Sequence, residues 1–513
     1  MHHHAKKIKI RKGHSVLTVN VTAISLAKLK KTVVLFAFSG NKLGPRAAEF
    51  DKAHDGLVTK VIKMSRFHGD KGQILNIPSP HLGAIERVVV LGWGGKAKIK
   101  EGTVRKAAVT LGKALDQYGV KEVTALMGEV TSVKVDPIMA SAELVEGMEL
   151  GLYRYDVLRK VSESQKPSMS KLTIMVDSKY VKATANIVTL VAAQTAGCNL
   201  ARDLVNGPAN IVNADTLVEE AKKLADLGVK VEILRQKELE KAGLRMLLSV
   251  NKGSDVAPAL IVMKWQGAGK GKPFKAVVGK GVTFDTGGYC IKPAQGMVGM
   301  KADMAGAAAV LGMMKAIAGR KSAVNVIGVC GCVENMINGQ ATRPSDVITA
   351  YNGKTVEINN TDAEGRLVLG DAMAYIIDKE KPAEVIDIAT LTGACMVALG
   401  AAYAGLFSNS PRMVKGLQEA GESTGEKLWH LPIGPEYTKM LESKVADLSN
   451  IGGQYGGACT AAAFLSEFVD KTDWAHLDIA GVGMAEKIPG GMEITGASGF
   501  GVRLLTRYLE AGR

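Results

Sequence analysis

The chain has 513 residues, of which 47% are hydrophobic and 22% charged, and its formal net charge is +15. This length exceeds what one hydrophobic core covers, so two domains are expected. No apolar run approaches the roughly 20 residues that span a bilayer, and the six cysteines include no C-x-x-C pair, which argues against a membrane-spanning or disulfide-built protein and favours a cytoplasmic one with reduced thiols.

The first part of the chain carries the whole excess of positive charge. Residues 1–190 contain 31 Lys and Arg against 16 Asp and Glu, whereas residues 191–513 contain 34 of each. A basic segment of this kind can bind nucleic acid, but its charges are dispersed among apolar residues, which favours a solvated surface. The start, MHHHAKKIKIRKGH, lacks the apolar core of a secretory signal, and we interpret His2 to His4 as the remnant of a purification tag.

An α/β domain is predicted over residues 1–180, with an assembly or regulatory role. Its strands are predicted at 32–40, 86–93, 121–128 and 171–177, and its clearest helix at 102–119. Alternation of strands and helices is typical of this fold class. A long helical stretch then ends at Gly207-Pro208, and we place a linker helix at 181–205.

A larger α/β domain is predicted over residues 206–513. Asn213 or Asp215 can cap its first helix, at 216–228. Strands are predicted at 230–235, 259–265, 274–285, 322–331, 354–359 and 384–392, and helices at 302–319 and 367–378. This pattern predicts a central mixed sheet flanked by helices. We interpret Cys330 and Cys332, in the strand AVNVIGVCGC, as small buried residues and not as metal ligands.

Charged residues follow two of these strands, where α/β sheets collect their sites. In NNTDAEGRL, Asp362, Glu364 and Arg366 alternate with small residues, and they share one face if the extended geometry of the preceding strand persists. The other strand leads to Asp285, with Asp303 further along. Carboxylates that lie close together resist ionisation unless a cation lies between them. The pattern therefore predicts a bound cation.

Two divalent ions would neutralise the carboxylates of Asp285, Asp303, Asp362 and Glu364, which suit zinc, manganese, magnesium or cobalt. No histidine occurs between His81 and His430, so neither a Ser-His-Asp triad nor an H-E-x-x-H site can be built in this core. A two-metal phosphoesterase is an alternative at this point. The stretch GAGKGK at 267–272 lacks the full phosphate-loop spacing, and we interpret it as a solvated hairpin turn.

Several segments together resemble one family, the leucine aminopeptidases, which are dinuclear metallo-exopeptidases. The segments are GKGVTFDTGG, IKP, MKADMAGAAAV, NNTDAEGRL and ATLTGA, with ARDLVNGPAN before them and GASGFGVRLL after them. The resemblance covers residues 195–513, and NTDAEGRL is close to a signature. The first third is similar to the family only in its general α/β pattern.

The resemblance implies a metal site with five ligands. Asp285 and Glu364 would bridge two ions, Lys280 and Asp303 would complete the tighter site, and Asp362 would complete the exchangeable one. The ions would be zinc or manganese, with magnesium or cobalt as alternatives at the exchangeable site. Lys280 can be a ligand only as a neutral amine, which requires the dications to depress its pKa.

The resemblance also implies catalytic and substrate-binding residues. Lys292 would stabilise the oxyanion, and Arg366 would hold a bicarbonate ion that takes a proton from a metal-bridging water; the competing interpretation of Arg366 is a salt bridge to Asp362 or Glu364. The substrate-binding positions would be Met300, Asn360, Thr390, Leu391, Thr392, Gly393 and Ile494.

The implied activity is removal of amino-terminal residues, preferably Leu and similar apolar ones, from peptides by a cytoplasmic homohexamer. A nucleic-acid-binding protein remains a further alternative because of the basic first domain. The sequence departs from the common family pattern at Thr286, at Tyr289-Cys290 and in the glycine-rich QGMVG of residues 295–299, which affects the expected fine specificity.

Overall fold

The computed structural model describes residues 17–128, 136–162, 166–484 and 496–512. The chain divides into two units, Met1–Thr195 and Ala196–Arg513. The predicted linker is part of one helix, Val181–Asn206, and the division falls inside that helix. Each unit has its own sheet with helices packed on it, as the sequence predicted.

The first unit contains a seven-stranded sheet. Its strands are β1 (Thr18–Ala23), β2 (Lys31–Phe38), β3 (Lys42–Leu43), β4 (Ile74–Leu82), β5 (Ile85–Gly92), β6 (Glu122–Leu126) and β7 (Lys171–Val176). Its helices are α1 (Pro45–Ala53), α2 (Leu57–Lys63), α3 (Thr103–Gln117) and α4 (Pro137–Leu152), followed by α5 (Val181–Asn206), which continues into the second unit. The strand order is β1-β7-β6-β2-β5-β4, with β3 beside β2.

The central strand β2 explains why this sheet needs helices on both faces. Val34 and Phe36 belong to the apolar cluster on one face, and Val33 and Leu35 belong to the cluster on the other. Successive side chains of a strand point to opposite faces. Because β2 is apolar at every position from 33 to 38, it is buried on both sides.

The second unit contains an eight-stranded mixed sheet and a small three-stranded one. Its strands are β8 (Lys230–Leu234), β9 (Ala259–Gln266), β10 (Lys275–Asp285), β11 (Asn325–Asn335), β12 (Asp346–Thr349), β13 (Thr355–Ile358), β14 (Glu384–Ala389), β15 (Ala404–Ser408), β16 (Leu428–His430), β17 (Leu448–Ser449) and β18 (Asp473–Asp478). The orders are β16-β15-β18-β14-β10-β11-β9-β8 and β12-β13-β17.

The helices of the second unit are α6 (Ala214–Lys223), α7 (Gln236–Ala242), α8 (Arg245–Asn251), α9 (Ala294–Met297), α10 (Ala305–Gly319), α11 (Gly365–Glu380), α12 (Gly393–Leu399), α13 (Pro411–Thr424), α14 (Pro435–Lys439), α15 (Gly457–Ser466) and α16 (Val502–Ala511). Asn213 caps α6 by accepting a hydrogen bond from the backbone N–H of Thr216. Of the two caps that the sequence allowed, Asn213 is therefore the one used.

The strand β10 lies at the centre of the larger sheet, parallel to both β11 and β14. Val278 belongs to the apolar cluster under α8, α11 and α15, while the neighbouring Gly279 faces the first turn of α10. The close approach of α10 to the sheet requires glycine at position 306, since a Cβ there would lie 2.1 Å from the carbonyl oxygen of Ile388. The start of α10 therefore rests directly on the sheet.

Two local features of the second unit bear on the sequence-based expectations. The segment 267–272 is not a hairpin turn, because it connects β9 to β10, and β11 lies between these two strands in the sheet. The expectation that no apolar run approaches membrane-spanning length is wrong for Ala294–Gly319, which is long and apolar enough to cross a membrane, but 89% of its most apolar part is buried inside the protein. We therefore interpret this stretch as part of the protein core. Cys330 and Cys332 are fully buried in β11.

Candidate metal centre

Three carboxylates from distant parts of the chain converge at the end of β10. Asp285 is the last residue of that strand, Asp303 lies two residues before α10, and Glu364 lies immediately before α11. Each offers an oxygen within 4.8 Å of the other two, and all three are buried. Among the described residues, no other group of this kind was found. Three anions at this spacing form a natural cation site.

Lys280 lies inside the same cluster. Its Nζ is 2.8 Å from Oδ1 of Asp303 and 2.8 Å from Oε1 of Glu364, and it donates a hydrogen bond to the carbonyl oxygen of Thr390. Burial by itself would lower the pKa of Lys280, but the carboxylates, Asp303 first, raise it above its ordinary value. Without a metal ion Lys280 is therefore an ammonium.

Gly365 makes room for that lysine. A Cβ at position 365 would lie 2.7 Å from Cε and 2.8 Å from Nζ of Lys280. Any side chain there would push the amine out of the cluster. This contact explains why a glycine separates Glu364 from Arg366 in the motif.

Asp362 and Lys292 form the more accessible side of the site. Lys292 Nζ is 2.9 Å from Oδ2 of Asp285 and forms a short hydrogen-bonded ion pair with Oδ1 of Asp362. About a third of the Asp362 side chain remains exposed. Burial would lower the pKa of Lys292, and the two carboxylates raise it instead, with Asp285 acting most strongly.

The expectation that extended geometry continues through NNTDAEGRL is wrong. The strand β13 ends at Ile358, Glu364 has helical dihedral angles (φ −80°, ψ −34°), and α11 starts at Gly365. Asn450 holds the intervening turn, because its Nδ2 donates to the carbonyl oxygen of Asn360 and its Oδ1 accepts from the backbone N–H of Asn359. The motif's side chains still reach one site, but they do so across a turn and a helix start.

Arg366 is buried in the first turn of α11 and contacts neither predicted salt-bridge partner. Its Nη1 donates to the carbonyl oxygen of Asn450, and its Nε has no hydrogen-bond partner among the described residues. Burial lowers the pKa of Arg366 to about 10. The guanidinium is therefore still a cation at neutral pH, and its Nε–H is available to a bound anion.

The electrostatics of the cluster fit a bound cation. Burial and then the charge of Asp285 raise the pKa of Asp362 to about 6 and also raise the pKa of Glu364. Within the described part of the chain, neither Oδ2 of Asp303 nor Oε1 of Glu364 has a hydrogen-bond partner, although Oε1 lies 2.8 Å from Nζ of Lys280. Buried carboxylate oxygens left in this state are costly. A cation would satisfy both the charge and the unused oxygens.

Two of the other predicted site residues, Thr390 and Asn360, contact the proposed ligands directly. The hydroxyl of Thr390 donates to Oδ1 of Asp303, and Oδ1 of Asn360 accepts from the backbone N–H of Asp362. Met300 is half-buried three residues before Asp303. Leu391, Thr392 and Gly393 follow Thr390 directly. Ile494 lies outside the described residues.

Three residues that hold the site together were missed from the sequence. Nδ2 of Asn335 donates to Oδ1 of Asp285 and to the carbonyl oxygen of Thr361, and the Thr361 hydroxyl donates to the carbonyl oxygen of Gly287. Asn335 ends β11, so the rule that polar residues at strand ends face a site would have found it. Asn450 carries no such local signal.

Comparison with known proteins shows one family over most of the chain. The model of the cytosol aminopeptidase family's catalytic domain matches residues 199–506, and the model of its N-terminal domain matches residues 34–162. A probable cytosol aminopeptidase of Brucella suis biovar 1 (strain 1330) is 47% identical over 479 residues, which are 91% of this chain and 94% of that protein. One of Rhizobium meliloti (strain 1021) is 44% identical over 488 residues, covering 93% and 95%.

Solved structures with the same architecture include a mutant of tomato leucine aminopeptidase, at 30% identity and a TM-score of 0.86, with 98% of each chain covered. The bottromycin maturation enzyme BotP in complex with Mn is also 30% identical, with a TM-score of 0.80 over 94% of this chain and 99% of that one. Each of these matches covers at least 91% of this chain and so includes residues of both units.

Proposed function

The chain belongs to the cytosol aminopeptidase family of metal-dependent aminopeptidases, and we propose that it removes amino-terminal residues, preferably Leu and similar apolar ones, from peptides. The observation that carries the proposal is the convergence of Asp285, Asp303 and Glu364 around the buried Lys280. Such a cluster in the core is expected to be stable only with a compensating charge.

We propose that this site holds two divalent cations, Zn²⁺ or Mn²⁺, with Mg²⁺ or Co²⁺ as alternatives at the more exchangeable position. Asp285 and Glu364 would bridge them, Lys280 and Asp303 would complete the tighter position, and Asp362 the exchangeable one. When bound, the ions would lower the pKa of a water molecule and polarise the carbonyl of the first peptide bond. The partial exposure of Asp362 supports its assignment to the exchangeable position.

Asp303 is proposed to select the amino terminus. Its Oδ2 is buried and finds no hydrogen-bond partner in the part of the chain that the structure describes, while its Oδ1 accepts from the hydroxyl of Thr390. A free α-amino group next to Oδ2 would supply a charge-assisted hydrogen bond, and only the first residue of a peptide has one. A substrate with a blocked amino group would leave that oxygen unsatisfied, which costs binding free energy.

Lys292 is proposed to stabilise the oxyanion that forms when the peptide carbonyl is attacked. Burial would lower its pKa, but Asp285 and Asp362 raise it, so Lys292 is an ammonium in the metal-free site. Its ion pairs with Asp285 and Asp362 hold the ammonium beside the cluster before substrate arrives. A donor fixed in advance stabilises the charge that develops in the transition state more than that of the ground state.

Arg366 is proposed to hold bicarbonate, which would supply the proton acceptor that this histidine-free core lacks. The free Nε and the single bond from Nη1 to Asn450 support this assignment. A guanidinium binds a planar oxyanion through paired N–H groups and cannot itself act as a base at neutral pH.

The first side chain of the substrate is proposed to contact the wall formed by Met300, Thr390 and Gly393, with the peptide backbone on Leu391 and Thr392. Met300 is half-buried, and a Cβ at position 393 would have no neighbour within 4 Å, so there is open space beside the turn. We propose Ile494 as a further wall residue. An apolar wall favours Leu over charged side chains.

The protein is further proposed to be a cytoplasmic homohexamer. The exposed apolar side chains Met396 and Val397 on α12, close to the site, support an assembled state. Sedimentation equilibrium tests it, with an expected mass six times that of one chain.

The decisive experiment measures hydrolysis of three substrates by the protein loaded with Mn²⁺ or with Zn²⁺. The substrates are leucine anilide, N-acetyl-leucine anilide and a nitrophenyl phosphodiester. We expect hydrolysis of the first alone, no hydrolysis of the acetylated compound, and no activity after chelation. Hydrolysis of the phosphodiester alone would establish a two-metal phosphoesterase instead. Hydrolysis of both anilides at equal rates would refute amino-terminal selection. Asp285→Ala is the negative control, because it removes a proposed bridging ligand.

A further inference from the structure

A fourth buried carboxylate, Asp478, lies beneath the turn that borders the candidate metal centre. It is the last residue of β18 and is 1% exposed. Its Oδ2 accepts from the hydroxyl of Thr392 at 2.7 Å, and its Oδ1 accepts from the backbone N–H groups of Leu391 (3.2 Å) and Ala480 (3.1 Å). One side chain thus fixes two successive residues of the turn after β14.

The same turn contacts the candidate ligands on its other side. The carbonyl oxygen of Thr390 accepts a hydrogen bond from Nζ of Lys280 at 3.0 Å. The hydroxyl of Thr390 donates to Oδ1 of Asp303 at 2.8 Å. Thr390 therefore lies between the residues that Asp478 holds and two of the five candidate ligands.

A buried hydrogen-bonded pair, His476 and Asp387, lies in the same part of the sheet as Asp478. His476 precedes it by two residues and shares its face of β18, and Nδ1 of His476 lies 2.6 Å from Oδ1 of Asp387. The other oxygen of Asp387 accepts from the indole N–H of Trp474. Burial alone would lower the pKa of His476, but Asp387 and, less strongly, Asp478 raise it. Burial raises the pKa of Asp478, and His476 and the hydrogen bond from Thr392 act in the opposite direction.

We propose that Asp478 is a positioning residue for peptide hydrolysis: by holding Leu391 and Thr392 it fixes Thr390 against Lys280 and Asp303, and so sets the geometry of the tighter cation position. The inference rests on the proposed function, because it assigns Lys280 and Asp303 to that position. Displacement of reacting groups by about 1 Å can cost on the order of a hundredfold in rate.

Asp371 provides a matched control within the same unit. It is fully buried and also accepts three hydrogen bonds, all from backbone N–H groups, those of Met246, Leu247 and Tyr351. None of these donors is a candidate ligand or belongs to the turn 390–393. Replacement of Asp371 therefore reports the cost of losing a buried carboxylate that serves the fold alone.

The experiment loads wild type, Asp478→Asn, Asp478→Ala and Asp371→Asn with Co²⁺ and records the visible absorption bands, Co²⁺ affinity, thermal midpoint and the kcat and KM for leucine anilide. We expect Asp478→Ala to shift the absorption bands, weaken Co²⁺ binding and lower kcat by about a hundredfold, with a smaller change in KM. Asp478→Asn keeps an acceptor for Leu391 and Ala480, so it should recover part of each loss. Asp371→Asn should lower the thermal midpoint but leave the bands unchanged and kcat within about twofold of wild type.

The proposal would be overturned if both Asp478 variants kept the wild-type absorption bands and kcat. It would also be overturned if Asp371→Asn lost as much kcat as the Asp478 variants, or if neither Asp478 variant folded. Each of these results would assign Asp478 a purely structural role. The absorption bands do not depend on turnover. If the wild type fails to hydrolyse leucine anilide, the proposed function falls, while a band shift in Asp478→Ala still supports the link between Asp478 and the cation position.

Discussion

Lys280 and Asp303 form an ion pair inside the core, with Nζ and Oδ1 2.8 Å apart and only 3% and 8% of the two side chains exposed. Lys280 comes from the central strand of the sheet, and Asp303 lies just before the helix that packs on that strand. A pair buried this deeply gains little net stability when it is intact, but loss of one partner leaves a costly unpaired charge. The metal-free protein should therefore depend on every member of the cluster.

The first prediction concerns how far the stability of the metal-free protein depends on Asp303. Asp303→Ala should lower the free energy of unfolding of the metal-free protein by about 2 kcal/mol, because it removes one charged partner of the buried Lys280 ammonium and leaves Glu364 as the other. Urea denaturation in the presence of a chelator measures it. The control is Glu380→Ala, which removes the partner of Lys264 in a pair with about a quarter of each side chain exposed and should cost at most about 1 kcal/mol. Equal losses in the two variants would contradict the account of the cluster.

The second prediction separates metal binding from catalysis at Lys292. Lys292→Met should lower kcat by about a hundredfold to a thousandfold, since it removes the proposed oxyanion donor. Metal content should not fall, because the change removes a positive charge that lies 2.9 Å from Asp285. Elemental analysis and steady-state kinetics on leucine anilide provide the two measurements. If metal is lost together with activity, Lys292 would instead be needed to hold the metal site in place.

The third prediction concerns Arg366. Arg366→Ala should retain both metal ions and lose most of the rate, and its residual rate should no longer respond to added bicarbonate. Wild type should slow in carbonate-free buffer and recover when bicarbonate is restored, because the buried guanidinium is expected to bind the anion. The same loss of response in Arg366→Lys would show that paired donors, and not charge alone, are required. A wild-type rate independent of bicarbonate would refute this role.

The fourth prediction concerns pH and the first unit. Burial raises the pKa of Glu149 from 4.5 to about 7, although its hydrogen bond from the Thr195 hydroxyl acts in the opposite direction. The folded state then holds a proton that the unfolded state releases between pH 4.5 and about 7. The associated stability is present below pH 4.5 and is lost as pH rises through about 7.

Glu149→Gln removes this pH dependence, because a neutral amide can accept from Thr195 at every pH. Relative to wild type, the variant should gain on the order of 2 kcal/mol of stability between pH 4 and pH 8. Thermal unfolding of both proteins across this range measures the difference. A constant difference between the two thermal midpoints would contradict the shifted titration.

The local chemistry of this protein follows from its sequence. Apolar and alternating runs predicted β10 and the strand before NNTDAEGRL, and Asp285 and Glu364, which follow along the chain from these strands, converge in the structure together with Asp303. The absence of histidine between His81 and His430 pointed to carboxylate and amine chemistry. The strand predictions are confirmed because strand periodicity is a local property of the sequence, whereas the carboxylate and amine chemistry stays a proposal.

Tertiary structure decided which of these groups meet and what holds them there. The expectation of a continuous extended segment failed at Ile358, because Asn450, about 90 residues later in the chain, holds the turn that precedes α11. Asn335 and Asp478 each end a strand, which is a local signal, but the order of the strands in the sheet decides which groups they contact. Periodicity specifies the elements, whereas hydrogen bonds between residues 50 to 90 positions apart depend on how those elements pack, and no local pattern encodes that packing.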